Sequence, residues 1–214
     1  MDKDAGQWLE SSEVVPMFPS LVWKAQIAAP LRKAIDARIA EALADMRRGA
    51  PPLEPGQGWQ SPQDLHEREA FGELIACIDR CTKGVLRFLR IGATDCGITA
   101  CWATVLAPGA VHKLHSHPNN FLSGVYYLRT HEGADTINFH DPRRQAGVVR
   151  PPVVELTGEN TDQVVVRVRD GMLLMFPSYL EHSVDANRSA GERISLSFNL
   201  MFSSFAQRLS KPLW

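Results

Sequence analysis

The strongest constraint on the fold is a change in the spacing of apolar residues near Gly97. Before it, apolar side chains recur every three or four positions, as in Leu31, Ile35 and Ile39, which is the period of a helix. After it, apolar and polar residues alternate in short runs separated by turn residues, which is typical of strands. We therefore expect a mostly β chain of the α+β class, with helices first and antiparallel strands after them.

Two helices are predicted before Gly97. One begins at Pro30, a residue suited to a first helical turn, and ends at Gly49; the other covers about residues 67–91. Residues 49–64 are rich in Gly and Pro and indicate a loop, and a short strand is predicted within residues 18–27. Seven strands are predicted later, at residues 98–106, 122–128, 136–139, 163–168, 172–176, 181–184 and 193–202.

Short strands at this spacing predict an antiparallel sandwich or barrel. We expect a barrel domain of residues 98–214, with residues 1–97 forming a helical extension that packs on it, so that the two make one compact unit. The apolar helices could also serve a homodimer interface.

The charge balance excludes several kinds of partner. Lys and Arg number 23 against 24 Asp and Glu, without a basic stripe, so nothing favours nucleic acid or an anionic membrane. No run approaches the roughly 20 apolar residues of a membrane span, and residues 1–6 lack the features of a signal peptide. We therefore expect a cytoplasmic protein.

The cysteines are predicted to be core thiols and not zinc ligands. A four-cysteine zinc site usually begins with a Cys-x-x-Cys pair, and no such pair is formed by the four cysteines, Cys77, Cys81, Cys96 and Cys101.

The histidines are concentrated in one part of the chain. Five of the seven fall between residues 112 and 140. His115 and His117 are two apart, so in extended backbone their rings point to the same side. His182, which follows a predicted buried strand and turn, is the candidate for a third metal ligand. Three ligands on one side of a metal leave positions open for catalysis; spacing alone also allows three solvated loop histidines.

The strand that follows His182 has one polar face, made by Arg193, Ser195, Ser197 and Asn199. Exposure to solvent would explain this polarity. The alternative is a ligand site, because an arginine fork pairs with a carboxylate through two hydrogen bonds and a serine hydroxyl can add another. Tyr127, which shares a strand face with Ser123, could reach the same carboxylate.

These motifs, taken in order, have a familiar pattern. They are residues 115–128 (HSHPNNFLSGVYYL), 139–143 (FHDPR), 176–182 (FPSYLEH) and 193–199 (RISLSFN). Over residues 98–205 the chain resembles the Fe(II)/2-oxoglutarate-dependent oxygenases, most of all a bacterial and phage subgroup with a prolyl-hydroxylase-like barrel.

The resemblance implies a double-stranded β-helix, the jelly roll also found in cupins. It implies Fe(II) bound by His115, His117 and His182. It also implies 2-oxoglutarate as co-substrate, with its distal carboxylate held by Arg193, Ser195 and Tyr127. The enzyme would be a dioxygenase that consumes O2, releases succinate and CO2, and hydroxylates a small molecule or a protein side chain.

One residue departs from the superfamily pattern. His117 stands where most members have Asp or Glu, and three neutral imidazoles should hold the iron less strongly than two imidazoles and a carboxylate. Asp141 is the nearby carboxylate that could substitute, although in Asp-Pro-Arg it is better explained as a turn cap. His112 could replace His115 or His117. Ser123 and Asn199 are further candidate site residues. Trp102 is expected in the barrel core, with a place in the wall of the pocket as the alternative, and His66, His131 and His140 are assigned no role.

Three functions remain compatible with these residues. The first is the 2-oxoglutarate-dependent oxygenase. The second is a three-histidine cupin-type dioxygenase or isomerase that does not use 2-oxoglutarate, and the third is a non-catalytic metal-binding cupin. Arg193 and Ser195 distinguish the first from the others, because only a 2-oxoglutarate enzyme requires a carboxylate clamp opposite the metal.

Overall fold

A computed structural model of the protein describes residues 8–92 and 95–206. Residues 1–6, on which the signal-peptide argument rests, and residues 207–214, at the end of the predicted barrel domain, lie outside the described part. The helices are α1 (Ala29–Met46), α2 (Gly72–Phe88) and the one-turn α3 (Ser203–Ala206). The strands are β1 (Trp23–Gln26), β2 (Gly58–Gln60), β3 (Cys96–Leu106), β4 (His112–His115), β5 (Leu122–Arg129), β6 (Thr136–His140), β7 (Gln163–Arg167), β8 (Met172–Pro177), β9 (His182–Val184) and β10 (Arg193–Phe202).

The strands form two antiparallel sheets that enclose a common interior. The larger sheet has the order β1-β8-β5-β10-β3-β2 and the smaller one the order β4-β9-β6-β7. Within each sheet, most adjacent strands are far apart in sequence, as β5 and β10 are, which is the arrangement of a double-stranded β-helix. The predicted jelly roll is therefore confirmed. β1, which lies within the strand predicted at residues 18–27, and β2, which was not predicted, are the edge strands of the larger sheet. The limits of the two predicted domains stay a prediction.

The helices cover the outer face of the larger sheet. Ile35, Ile39 and Leu43 of α1 are buried, as are Leu74 and Ile78 of α2, and they belong to one apolar cluster with the outward side chains of β10 and β3. Burial of this stripe is the main stabilisation of an amphipathic helix, since helices of this length are marginal alone.

The start of the second helix was predicted too early. Residues 65–67 and 69–71 form short 3-10 turns, because Arg68 has extended backbone (φ −97°, ψ 133°) between them. The Arg68 guanidinium bonds to both carboxylate oxygens of Asp64 at 3.1 Å, which holds this irregular segment. The predicted loop at 49–64 likewise contains β2, which pairs with the end of β3.

The face of β10 that looks into the barrel is the polar one. Leu196 and Phe198 point outward into the helix-covered cluster, so the alternate residues beginning with Arg193 face the interior between the sheets. Phe198 lies opposite Gly124 of β5, and a Cβ on Gly124 would collide with its ring and with the Leu174 carbonyl. A glycine is therefore required at this position for the two strands and the ring to pack.

The cysteines were predicted to be core residues, and all four are free thiols in or against the core. Cys101 is buried, whereas Cys77, Cys81 and Cys96 are partly buried and pack against the apolar cluster. Within the described residues, no helix is both long enough and apolar enough to cross a membrane.

Candidate active site

Three histidines converge at one end of the barrel. His115 ends β4 and lies opposite His182 at the start of β9, in register. His117 follows two residues later, and its backbone N–H donates to the Ser178 carbonyl at 2.9 Å. One ring nitrogen from each of the three lies within 4.8 Å of the others, a spacing that allows a single metal ion to be bound.

Hydrogen bonds orient two of these rings. Nδ1 of His115 lies 2.7 Å from the Lys113 carbonyl, and Nδ1 of His182 lies 3.0 Å from the Leu180 carbonyl. Because a carbonyl can only accept, each Nδ1 must carry the proton, and Nε2 keeps its lone pair. This arrangement of a second hydrogen-bond partner behind the ring is usual for histidines that bind metals.

Burial keeps two of the three histidines uncharged. His182 is only 4% exposed, and its ring centroid lies 4.8 Å from that of Phe176 and 6.1 Å from that of Phe139. Burial lowers the pKa of His182 to about 3 and that of His117 to about 4, with a further contribution from the neighbouring histidines. Neutral imidazoles offer lone pairs and do not repel a cation, so His117 and His182 have the protonation state that a divalent metal needs.

Arg193 lies deeper in the interior and is almost fully buried, at 2% exposure. Its guanidinium carbon lies 5.2 Å from the centre of the Tyr127 ring, and Nη2 makes a long contact of 3.5 Å to the Thr136 carbonyl. Within the described residues, neither Nε of Arg193 nor the Tyr127 hydroxyl has a hydrogen-bond partner of good geometry. Burial raises the pKa of Tyr127 to about 12, so the hydroxyl remains a donor.

A buried guanidinium without an anion is energetically costly, and buried charges are normally paired. Two donors aimed into the same interior, one of them positively charged, therefore fit a carboxylate ligand. Ser195 lies opposite Tyr127 in the β10–β5 register and is buried beside it. The structure thus brings together, on the interior faces of β10 and β5, the three residues proposed from sequence to hold a carboxylate.

The other predicted site residues have different surroundings. Ser123 donates to the side-chain oxygen of Asn199 at 2.8 Å on the same interior face. Asp141 accepts from the Arg143 backbone N–H and pairs with its guanidinium at 2.8 Å, as a turn cap would, and it is not part of the metal-binding cluster. His112 stacks on His115, with ring centroids 4.4 Å apart, but it does not belong to the converging group either.

Sequence reasoning anticipated only part of the aromatic surroundings of the cluster. Trp102, which was expected in the core with a place in the pocket wall as the alternative, is 7% exposed, and its ring lies 5.8 Å from that of His117. Phe139 and Phe176 enclose His182 on the other side. Their positions on predicted strands gave the signal that they were buried but not that they would contact a histidine.

A groove opens beside His117. It has a volume of about 750 Å³ and is lined by the turn after His117, by Tyr179 and by apolar residues from the N-terminal segment such as Leu21 and Trp23. A second cavity of about 660 Å³ is lined by Leu114 and by residues of the segment 143–162. Both have the size of small-molecule sites, and the first reaches a histidine of the cluster.

Comparisons with known proteins agree with this geometry. Residues 100–199 match a family model described as "putative 2OG-Fe(II) oxygenase". No curated protein matches the sequence.

Among solved structures, a prolyl-4-hydroxylase from Pseudomonas putida is similar with a TM-score of 0.58 and 17% identity, over 85% of this chain and 92% of that one. The α-ketoglutarate-dependent carbocyclase SnoK of nogalamycin biosynthesis gives a TM-score of 0.60 at 15% identity, over 100% and 94%. A prolyl hydroxylase from Trichoplax adhaerens, solved with a peptide of hypoxia-inducible factor, gives 0.58 at 14%, over 89% and 87%. At these identities the likeness establishes the fold.

Proposed function

We propose that this chain is a hydroxylase of the Fe(II)/2-oxoglutarate-dependent oxygenase superfamily, with Fe(II) at His115, His117 and His182. The family-model match over residues 100–199 and the fold support this proposal. The observation that carries the proposal is the presence of two features in the same barrel. One is a cluster of three histidines whose ring nitrogens converge, and the other is a buried arginine that lacks an anion.

The metal half of the proposal rests on the three rings. In His115 and His182 the proton is on Nδ1, so Nε2 is the atom that would bind the ion. Burial keeps the His182 imidazole neutral. His117 takes the place of the usual carboxylate. With one negative charge fewer, we expect the iron to be held more weakly than in a site with two histidines and a carboxylate.

The co-substrate half rests on Arg193, Tyr127 and Ser195. A 2-oxoglutarate bound to the metal through its keto-acid end would extend its distal carboxylate toward these donors. The guanidinium supplies the countercharge and the two hydroxyls supply hydrogen bonds, so the buried groups that lack partners would all be satisfied.

When bound, Fe(II) and 2-oxoglutarate supply the oxidative chemistry, in which one atom of O2 enters succinate as CO2 is released and the other enters the substrate C–H bond. The chain's own residues hold, orient and exclude water. Phe139, Phe176 and Trp102 shield the histidines, and the groove beside His117 gives the substrate access to the metal. We propose that the substrate is a small molecule or a protein side chain bound in that groove.

The experiment is to measure succinate by proton NMR in aerobic mixtures of protein, Fe(II) and 2-oxoglutarate. We expect slow succinate formation even without substrate, lost in His182→Ala and retained in His140→Ala. His140 is a suitable control because it lies on β6 and bonds to Ser183 instead of facing the cluster. Succinate formation that persists undiminished in His182→Ala would refute the metal site.

The three-histidine composition favours one alternative, a cupin-type dioxygenase that does not use 2-oxoglutarate. It predicts that iron binds with one equivalent per chain while 2-oxoglutarate has no measurable affinity for the loaded protein. The buried Arg193 argues against this alternative, because a dioxygenase that does not use 2-oxoglutarate requires no carboxylate clamp.

We further propose a cytoplasmic location and a homodimer that buries the outer faces of the helices. The four free thiols support the first, since such thiols persist in reducing compartments. Exposed Leu31 on α1 and Phe88 on α2 support the second. Light scattering of the purified protein tests the dimer.

A further inference from the structure

His112 is a fourth imidazole at the histidine cluster to which the proposed function gives no role. Its ring stacks on that of His115, with centroids 4.4 Å apart and planes inclined by 27°. A separation of three residues would place the two on opposite faces of a regular strand. A register shift between them in the β4–β9 pairing turns both rings to the same side.

The chain path brings His112 toward Arg193 as well. β3 ends at Leu106, which lies opposite Arg193 in the β10–β3 register, and the chain then turns back into β4. Asn187 fixes this turn, because its side-chain amide donates to the Leu106 carbonyl at 3.0 Å and its backbone N–H donates to the Ala110 carbonyl at 2.9 Å. His112 follows two residues later.

His112 therefore contacts the metal-binding end of the site and follows a turn that is fixed beside Arg193. It is close enough to Arg193 for the two side chains to interact electrostatically. It is partly buried, and no hydrogen bond to either ring nitrogen is found within the described residues. An imidazole keeps an N–H donor in either protonation state, and its hydrogen bond to a carboxylate is stronger than one to a neutral acceptor.

We propose that His112 binds 2-oxoglutarate and not the metal, donating a hydrogen bond to the carboxylate held by Arg193. The inference rests on the proposed function and adds a co-substrate residue to it. It also explains why His112 stacks against the cluster without converging on it.

The test is anaerobic calorimetry of 2-oxoglutarate binding to the Fe(II)-loaded protein, with the Fe(II) dissociation constant measured by metal competition. His112→Phe keeps a ring to stack but loses the donor, and we expect the 2-oxoglutarate Kd to rise about tenfold or more, as for loss of a hydrogen bond to a charged group. The Fe(II) Kd should change less than about threefold, which is the effect expected of a substitution that removes no metal ligand. His112→Gln keeps an N–H donor and should recover most of the affinity, and His140→Gln should match the wild type.

Two results would overturn the inference alone. One is an unchanged 2-oxoglutarate Kd in His112→Phe. The other is weakened Fe(II) binding in both His112→Phe and His112→Gln with normal 2-oxoglutarate affinity in the loaded fraction, which would make His112 a metal ligand. His112→Leu, which also lacks a donor, repeats the measurement if the phenylalanine ring cannot be accommodated. If the Fe(II)-loaded wild type binds no 2-oxoglutarate, the proposed function fails before any variant is compared, and the inference fails with it.

Discussion

Arg193 should destabilise the ligand-free protein, and its replacement by methionine should raise the free energy of unfolding. The guanidinium is 2% exposed and Nε has no partner within the described residues. Removing such a charge from water costs several kcal/mol. The Tyr127 ring returns about 2 kcal/mol, and the 3.5 Å contact to Thr136 returns about 1 kcal/mol or less. Methionine is shorter than arginine but flexible and uncharged, and replacing buried charges with such apolar side chains often stabilises a protein. We therefore expect Arg193→Met to gain about 1–2 kcal/mol.

For a chain of 214 residues, that gain corresponds to a rise in Tm of about 2–8 °C. Differential scanning calorimetry of the metal-free and ligand-free protein measures it. Arg129→Met is the matched control, since Arg129 is exposed on the neighbouring strand, and should change stability by less than about 0.5 kcal/mol. In the Fe(II)-loaded protein, 2-oxoglutarate should raise the Tm of the wild type by mass action but not that of Arg193→Met. A lower Tm in ligand-free Arg193→Met would refute the argument that the buried guanidinium destabilises the protein until an anion binds to it.

Two further predictions concern stability. Gly124→Ala should lower the free energy of unfolding by about 1–3 kcal/mol or more, because the added methyl group collides with Phe198 and overpacking a core has a cost of this size. Urea denaturation measures the change, and an unchanged midpoint would contradict the close packing of Gly124 against Phe198. Glu192→Gln should cost about 1 kcal/mol at pH 7, where Glu192 pairs with both terminal nitrogens of Arg47 at 2.9 Å. The Arg47 hydrogen bond lowers the pKa of Glu192 below its usual 4.5, so the wild-type advantage should be complete above pH 4.5 and fade as the pH falls through the lowered value. An advantage that does not shrink as the carboxyl group becomes protonated would show that the pair is not its source.

The sequence predicted the barrel because its strands are short apolar runs separated by turn residues. β3, β5, β8 and β10 were found in this way, and each appears within two residues of its expected limits. β2 and β4 were missed, because β2 lies in a segment rich in Gly and Pro and β4 has Leu114 as its only apolar residue. The early start given to α2 has a different cause, since an extended Arg68 interrupts an apolar pattern that continues through it.

The candidate site was predictable where it depends on spacing along one strand. The two-residue spacings of His115 with His117 and of Arg193 with Ser195 each place both side chains on one face. The position of His112 was not predictable, because it depends on a register shift that the sequence pattern does not reveal. The enclosure of His182 by Phe139 and Phe176 depends on how two sheets pack and has no local signature.

The most direct test of the account is the anaerobic visible spectrum of the protein with Fe(II) and 2-oxoglutarate. A keto acid chelated to Fe(II) gives a metal-to-ligand charge-transfer band, so we predict a band that saturates at one iron and one 2-oxoglutarate per chain. The band should be absent in His182→Ala. It should require far more 2-oxoglutarate in Arg193→Ala, since losing one partner of a buried charge pair costs about 2–5 kcal/mol. Stoichiometric iron binding with no band at saturating 2-oxoglutarate would contradict the account.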